Sequence, residues 1–126
     1  MTKFEATLIE FEDTVKNLEE VLKEEKTKFI RDSAIKRFEL TFDMAWKTIK
    51  AFLEEKGVVC VSPLHCFREA YRQGLLDYED IWIEMVKTRN ATAHTYKDEL
   101  AEKVYVVLPQ SAEAFQKLLS ALKNPT

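Results

Sequence analysis

Phe4, Leu8, Phe11, Val15, Leu18 and Leu22 alternate in steps of four and three, the seam of an amphipathic helix that lies almost parallel to its neighbour. This spacing predicts a first helix from about Thr2 to Lys26. The remaining faces carry Glu10, Glu12, Lys16, Glu19, Glu20, Lys23 and Glu24, a solvated surface. A second helix is predicted to begin near Arg31. Its stripe of Ile35, Phe38, Phe42, Ala45, Trp46, Ile49, Phe52 and Leu53 is wider than one contact requires, so it should meet two or more neighbours. Gly57 ends it, glycine being the usual residue where a helix turns left-handed at its C-terminus.

Val58 to Val61 has strand-like composition but nothing to pair with, and is predicted to be a buried loop. Ser62-Pro63 supplies a capping hydroxyl and a proline preset for the first helical position, and Gly74 stops that short helix after Leu64, Phe67, Ala70 and Tyr71. Asp77 is a candidate cap for the next helix, where Trp82, Val86, Arg89, Ala93 and Tyr96 form one line. Asp98 is a candidate cap for the last, which runs through Val104, Leu108, Phe115 and Leu122 and in which Pro109 removes an amide and is expected to bend the axis. The architecture expected is an all-α antiparallel bundle of four to five helices.

Composition agrees. The chain has 126 residues, enough for one core and a single domain, with two glycines and three prolines leaving little room for the tight turns of a β-sandwich. No basic region leads into an apolar run at the start, and no uncharged segment of spanning length follows, so a cytosolic protein that binds no membrane is expected. Cys60 and Cys66 fit neither a CxxC redox motif nor a zinc half-site and are expected to be reduced thiols. The net charge of −3 gives no overall attraction to nucleic acid, so any RNA site must be local.

Arg89-Asn90-Ala91-Thr92-Ala93-His94-Thr95-Tyr96 is where chemistry concentrates. It places a guanidinium, an amide, an imidazole and a phenol within about two helical turns. His94 can exchange a proton near neutral pH, an ordinary imidazole titrating at about 6.5. Arg89 stays charged and matches phosphate oxygens with paired hydrogen bonds. Asn90, one turn from His94, can orient the ring or bind a phosphate oxygen. Lys87 and Lys97 raise the local potential, Tyr96 can stack on a base, and Arg68 and Arg72 share a face that can extend an RNA or nucleotide surface. Such a set can cleave RNA without a metal or cofactor.

Geometry complicates this assignment, because residues five apart lie roughly 140° apart around a straight helix. Either the helix breaks near His94, or a second copy of the chain supplies the missing partner. Arg89 also points along the apolar stripe, where a lone charge is costly, so it must be paired, reach a solvent-filled cleft or sit at a subunit boundary. A purely structural alternative stands beside the catalytic one: His94 is a polar residue at a helix end and Arg89 pairs with a nearby acid. His65 has no further ligands at metal-site spacing.

Three stretches together, Arg31 to Glu39, Ala45-Trp46-Lys47 and Arg89 to Tyr96, resemble the nucleotidyltransferase substrate-binding family of the HEPN superfamily, similar to the HepT toxins. The resemblance covers most of the chain. It implies a helical bundle that forms a homodimer, with higher association open, and brings two Arg-x4-6-His motifs face to face across a cleft. By position, Arg89 and His94 are then catalytic in a metal-independent endoribonuclease, Asn90 supports them, and Tyr96 receives AMP from a separately encoded minimal nucleotidyltransferase of the MntA type. The partners implied are that transferase and RNA or a nucleotide, not DNA. A non-catalytic nucleotide- or substrate-binding subunit of a two-component transferase is the alternative that the family name carries.

Overall fold

The computed structural model describes residues 1–125 and contains five α-helices: α1 (Lys3–Leu22), α2 (Lys28–Glu55), α3 (Pro63–Arg72), α4 (Asp80–Ala91) and α5 (Asp98–Lys123). A single 3-10 turn, Thr92–His94, follows α4 directly. The expected all-α bundle is therefore present, and its starts follow local chemistry. Thr2 and Glu5 form a reciprocal capping box on α1. Thr27 accepts from the Ile30 amide at 3.1 Å and starts α2 one turn earlier than the apolar pattern alone indicates. Ser62 accepts from the His65 amide at 3.2 Å, with Pro63 in the first helical position, as expected.

Two expected caps are corrected. α4 begins at Asp80, so Asp77 lies outside it, and Glu79 makes no side-chain cap bond. Asp98 is the first residue inside α5, and its carboxylate is taken by Arg31 and Lys28. Gly57 (φ 76°) and Gly74 (φ 81°) hold the left-handed conformations that let the chain leave α2 and α3. α5 continues through Pro109.

α1 runs antiparallel to α2, tied by side chains that reach across to backbone carbonyls. Arg37 donates to Asn17 O at 2.7 Å, Thr41 to Thr14 O at 3.0 Å and Thr48 to Thr7 O at 3.2 Å. α5 shares the direction of α2, because the start of α2 (Arg31) meets the start of α5 (Asp98, Glu102). The α3–α4 crossover carries the chain back to make this possible. Phe11, Phe38, Phe42, Phe67, Trp82 and Phe115 interlock at the centre of the bundle, with neighbouring ring centroids 4.7 to 6.3 Å apart.

The loop before α3 departs from expectation in two ways. Val59 and Val61 point outward, 69% and 76% exposed, so the segment is not buried as a whole. Cys60 alone is fully buried, and it is joined to Cys66 by a disulfide rather than left as a thiol. The spacing rules miss this pair because the chain doubles back at the Ser62 cap. The first turn of α3 thereby brings the two Cα atoms to 5.1 Å, a normal separation for a bridge. No helix among the described residues is long and apolar enough to cross a membrane.

One buried charge fixes the frame of the α4–α5 connection. The Arg31 side chain, 4% exposed, is hydrogen-bonded to Asp32 (2.9 Å), Asp98 (3.0 Å) and Glu102 (3.2 Å). Burial of a guanidinium is tolerated only when it is paired in this way. Those bonds, the one to Asp32 foremost, raise the pKa of Arg31 above its ordinary value. The Asp98 carboxyl is held below its usual range, chiefly by the Arg31 hydrogen bond and then by Lys28. Glu102 is lowered likewise, by Lys26 first and Arg31 second.

Candidate functional site

The eight-residue motif spans the last turn of α4, the 3-10 turn and the residues leading into α5. The α-helix does end close to His94, at Ala91. The tighter 3-10 winding, about 120° per residue, does not bring Arg89 and His94 together; it moves them towards opposite sides of the axis. The environments agree. Arg89 faces α2, whereas His94 is exposed to solvent.

Arg89 is held from three directions. Its Nε and Nη2 donate to Oδ1 and Oδ2 of Asp43, both at 3.3 Å, a two-pronged pair that places the carboxylate in the guanidinium plane. Nη1 donates to the Thr92 hydroxyl at 3.0 Å and lies 3.7 Å from the Glu39 carboxylate. Thr92 is buried and its hydroxyl donates to the Arg89 carbonyl at 2.6 Å, so it bridges side chain and backbone within the turn. Of the outcomes open to a charged residue on the apolar stripe, pairing is the one realised, with 30% of the side chain still exposed.

Glu39, Asp43 and Thr92 are not among the residues that the sequence singles out. The available signal was indirect: Glu39 and Asp43 stand four apart on α2, hence on one face, at the edge of an unusually wide apolar stripe. Such a pair of acids needs a counter-charge, and Arg89 is the nearby stripe residue that supplies one.

The outward side of the motif is built differently. His94 and Tyr96 lie with ring centroids 6.3 Å apart and planes at 70°, an edge-to-face arrangement on the surface. Tyr96 is 76% exposed, and the Lys97 ammonium lies 5.9 Å from its ring centroid. Asn90 is exposed one turn before His94. The other basic residues singled out from sequence are drawn to acids. Lys87 pairs with Glu84 at 3.2 Å, Arg68 with Glu79 at 3.4 Å and Arg72 with Glu69. The structure thus brings His94, Tyr96 and Lys97 together, and leaves Arg68 and Arg72 on α3 engaged in their own pairs.

Among the described residues, no group of three or more His, Cys, Asp or Glu side chains is placed to hold a metal ion. His65 instead serves its own helix start, its Nδ1 accepting from the Val61 amide at 3.3 Å.

Residues 1–124 match the family described as nucleotidyltransferase substrate binding protein like. The chain is also similar to a Thermus thermophilus protein of known crystal structure, with 34% identity over 90% of this chain and 99% of that one, at a TM-score of 0.85. A Haemophilus influenzae structure described as revealing the fold of a substrate binding domain of a nucleotidyltransferase superposes with a TM-score of 0.72. It covers 96% of this chain and 97% of that one at 23% identity, which supports the fold. No curated protein gives a significant match.

Proposed function

The chain belongs to the nucleotidyltransferase substrate binding protein like family, and from that membership we propose that it works beside a separately encoded minimal nucleotidyltransferase as a HepT-like toxin. In this reading the chain is a metal-independent endoribonuclease whose cleft is completed by a homodimer. The observation that carries it is the split within one chain: Arg89 turned inward onto Asp43, and His94 turned outward beside Tyr96. Two such surfaces meeting across a two-fold axis give a cleft with an imidazole on each side.

In that cleft one His94 accepts the proton of a ribose 2′-hydroxyl as the oxygen attacks phosphorus. The other donates a proton to the departing 5′-oxygen, leaving a 2′,3′-cyclic phosphate and a free 5′-hydroxyl. Arg89, kept in plane by Asp43 and Thr92, stabilises the extra negative charge on phosphorus through the part of its side chain that remains exposed, and Asn90 supports the phosphate. Tyr96 is the neutralisation point. Its phenolic oxygen attacks the α-phosphorus of ATP in the partner's active site, pyrophosphate leaves, and the resulting AMP ester sits next to His94.

The test is incubation of purified protein with varied RNAs in EDTA. Wild type is expected to cut and His94→Ala to remain folded and inert. Equal inertness of both proteins would refute the ribonuclease reading. A second reading is favoured by a specific observation: Asp43, Glu39 and Thr92 already occupy much of the hydrogen-bonding capacity of Arg89. In it the chain is a non-catalytic subunit that presents a nucleotide, a substrate or Tyr96 to the transferase. Copurification with the transferase and an AMP adduct on an RNA-inert wild type would select it.

A further inference from the structure

A cleft of about 630 Å³ opens between the Gly74–Tyr78 loop, the first turn of α4 and the second half of α5. Small-molecule sites span roughly 300–1,000 Å³. It is separate from the motif, since Trp82 in its wall lies seven residues before Arg89, about 10 Å along the helix. Ile81 and Ala121 offer it partly exposed apolar surface, while Leu75, Trp82 and Leu118 line it with at most 8% of each residue accessible. Its mouth is acidic. Asp77, Glu113 and Lys117 line it, and the Lys117 ammonium, 3.5 Å from the Glu113 carboxylate, pairs with it, so the net charge of the three is that of Asp77.

That combination selects a ligand. A phosphate-bearing molecule entering the mouth meets the Asp77 carboxylate and a lysine already paired with Glu113, so nucleotides are disfavoured. An apolar body carrying one positive charge gains on both counts, by covering the exposed parts of Ile81 and Ala121 and by placing its cation at Asp77. Tyr78, 73% exposed at the rim, adds a ring face for the same cation. We infer that this cleft binds a small organic amine, with the ammonium beside Asp77 and Tyr78 and the apolar portion over Ile81, next to Trp82. The inference rests on the family's substrate-binding role, whose substrate class it names, and is independent of the ribonuclease reading.

The experiment uses the full chain and three probes: phenethylamine, its uncharged isostere 2-phenylethanol, and AMP. Binding is followed by the NMR shift of the Trp82 indole N–H, with Trp46 on α2 as internal control. Phenethylamine is expected to shift Trp82 and to bind roughly fivefold more tightly than the alcohol, the scale of one partly exposed ion pair. Asp77→Asn with Glu113→Gln, both on the exposed rim, should erase that preference while the Trp46 signal stays in place. A Trp82 signal unmoved by millimolar phenethylamine, an alcohol that binds equally well, or tighter binding of AMP would each overturn the assignment. None of these outcomes bears on RNA cleavage. Failure to copurify with a transferase would remove the partner reading and leave the binding result standing.

Discussion

Replacing Asp43 by Asn keeps the size of the side chain and one acceptor oxygen but removes the charge that faces Arg89. The two N–H···O contacts at 3.3 Å are longer than the 2.7–2.9 Å typical of strong charge-assisted bonds. The side chains are 30% and 37% exposed, so solvent screens part of the attraction, and Glu39 remains 3.7 Å away to take up some of the load. These facts place the loss at the lower end of the range for hydrogen bonds to charged groups, about 1–1.5 kcal/mol. Arg89→Gln should cost more, about 2–3 kcal/mol, because it leaves two carboxylates one turn apart on α2 without their cation and removes the donor to buried Thr92. A double-mutant cycle in urea, with Asp43→Asn, Arg89→Gln and the pair, should therefore return a coupling of about 1 kcal/mol. The same Asp43→Asn protein should lose RNA cleavage by roughly tenfold as the guanidinium leaves its plane. A coupling below about 0.3 kcal/mol would refute the claim that Asp43 anchors Arg89.

Further outcomes follow from the same geometry. His94→Ala and Tyr96→Phe, both on exposed side chains, should change stability by less than about 0.5 kcal/mol; the first should abolish RNA cleavage and the second AMP incorporation, read by gel and by mass spectrometry. Asp98 and Glu102 titrate below their ordinary values of 3.8 and 4.5 in the folded chain. Their contribution is thus complete above those values and is lost as pH falls through the lower folded-state values, so acid unfolding should be shallower in Asp98→Asn/Glu102→Gln than in wild type. Reducing the Cys60–Cys66 bridge, which closes a short loop, should cost about 2 kcal/mol in thermal or urea unfolding, and a chain whose stability ignores dithiothreitol would contradict the bridge.

The bundle was legible in sequence because its signals are local and repetitive. The α1 seam, the α2 stripe, Ser62-Pro63 and the two glycines each act within a few residues, and each appears where expected. What escaped depends on neighbours distant along the chain. Asp98 reads as a cap until Arg31 takes its carboxylate from 67 residues away. Cys60 and Cys66 read as unrelated thiols until the Ser62 turn folds one over the other. The acids that hold Arg89 lie on another helix, 46 residues away in the case of Asp43, and nothing local separates them from Asp32, Glu54 and Glu55 on the same helix. In the motif, the chemistry of each side chain was readable, whereas its direction depended on where α4 gives way to a 3-10 turn.

That change of winding decides what one chain can do alone. Had α4 continued regularly, Arg89 and His94 would still have been roughly 140° apart. The 3-10 turn widens the separation, and two further contacts lock it: Thr92 ties the guanidinium to its own carbonyl, and Thr95 donates to Thr92 O at 3.0 Å. A single chain consequently keeps its cation facing α2 and its imidazole facing solvent. In the ribonuclease reading, cleavage by such a chain requires a second protomer, and activity should rise with the square of protein concentration below the dimer dissociation constant. In the same reading, AMP on Tyr96 would add negative charge and bulk to a ring centred 6.3 Å from that of His94, at the point where the RNA phosphate is proposed to enter. The modified protein should then lose RNA binding even where its dimer persists. A modified dimer that binds and cuts RNA as well as the unmodified one would separate Tyr96 from the cleft and leave the presenting-subunit reading in its place.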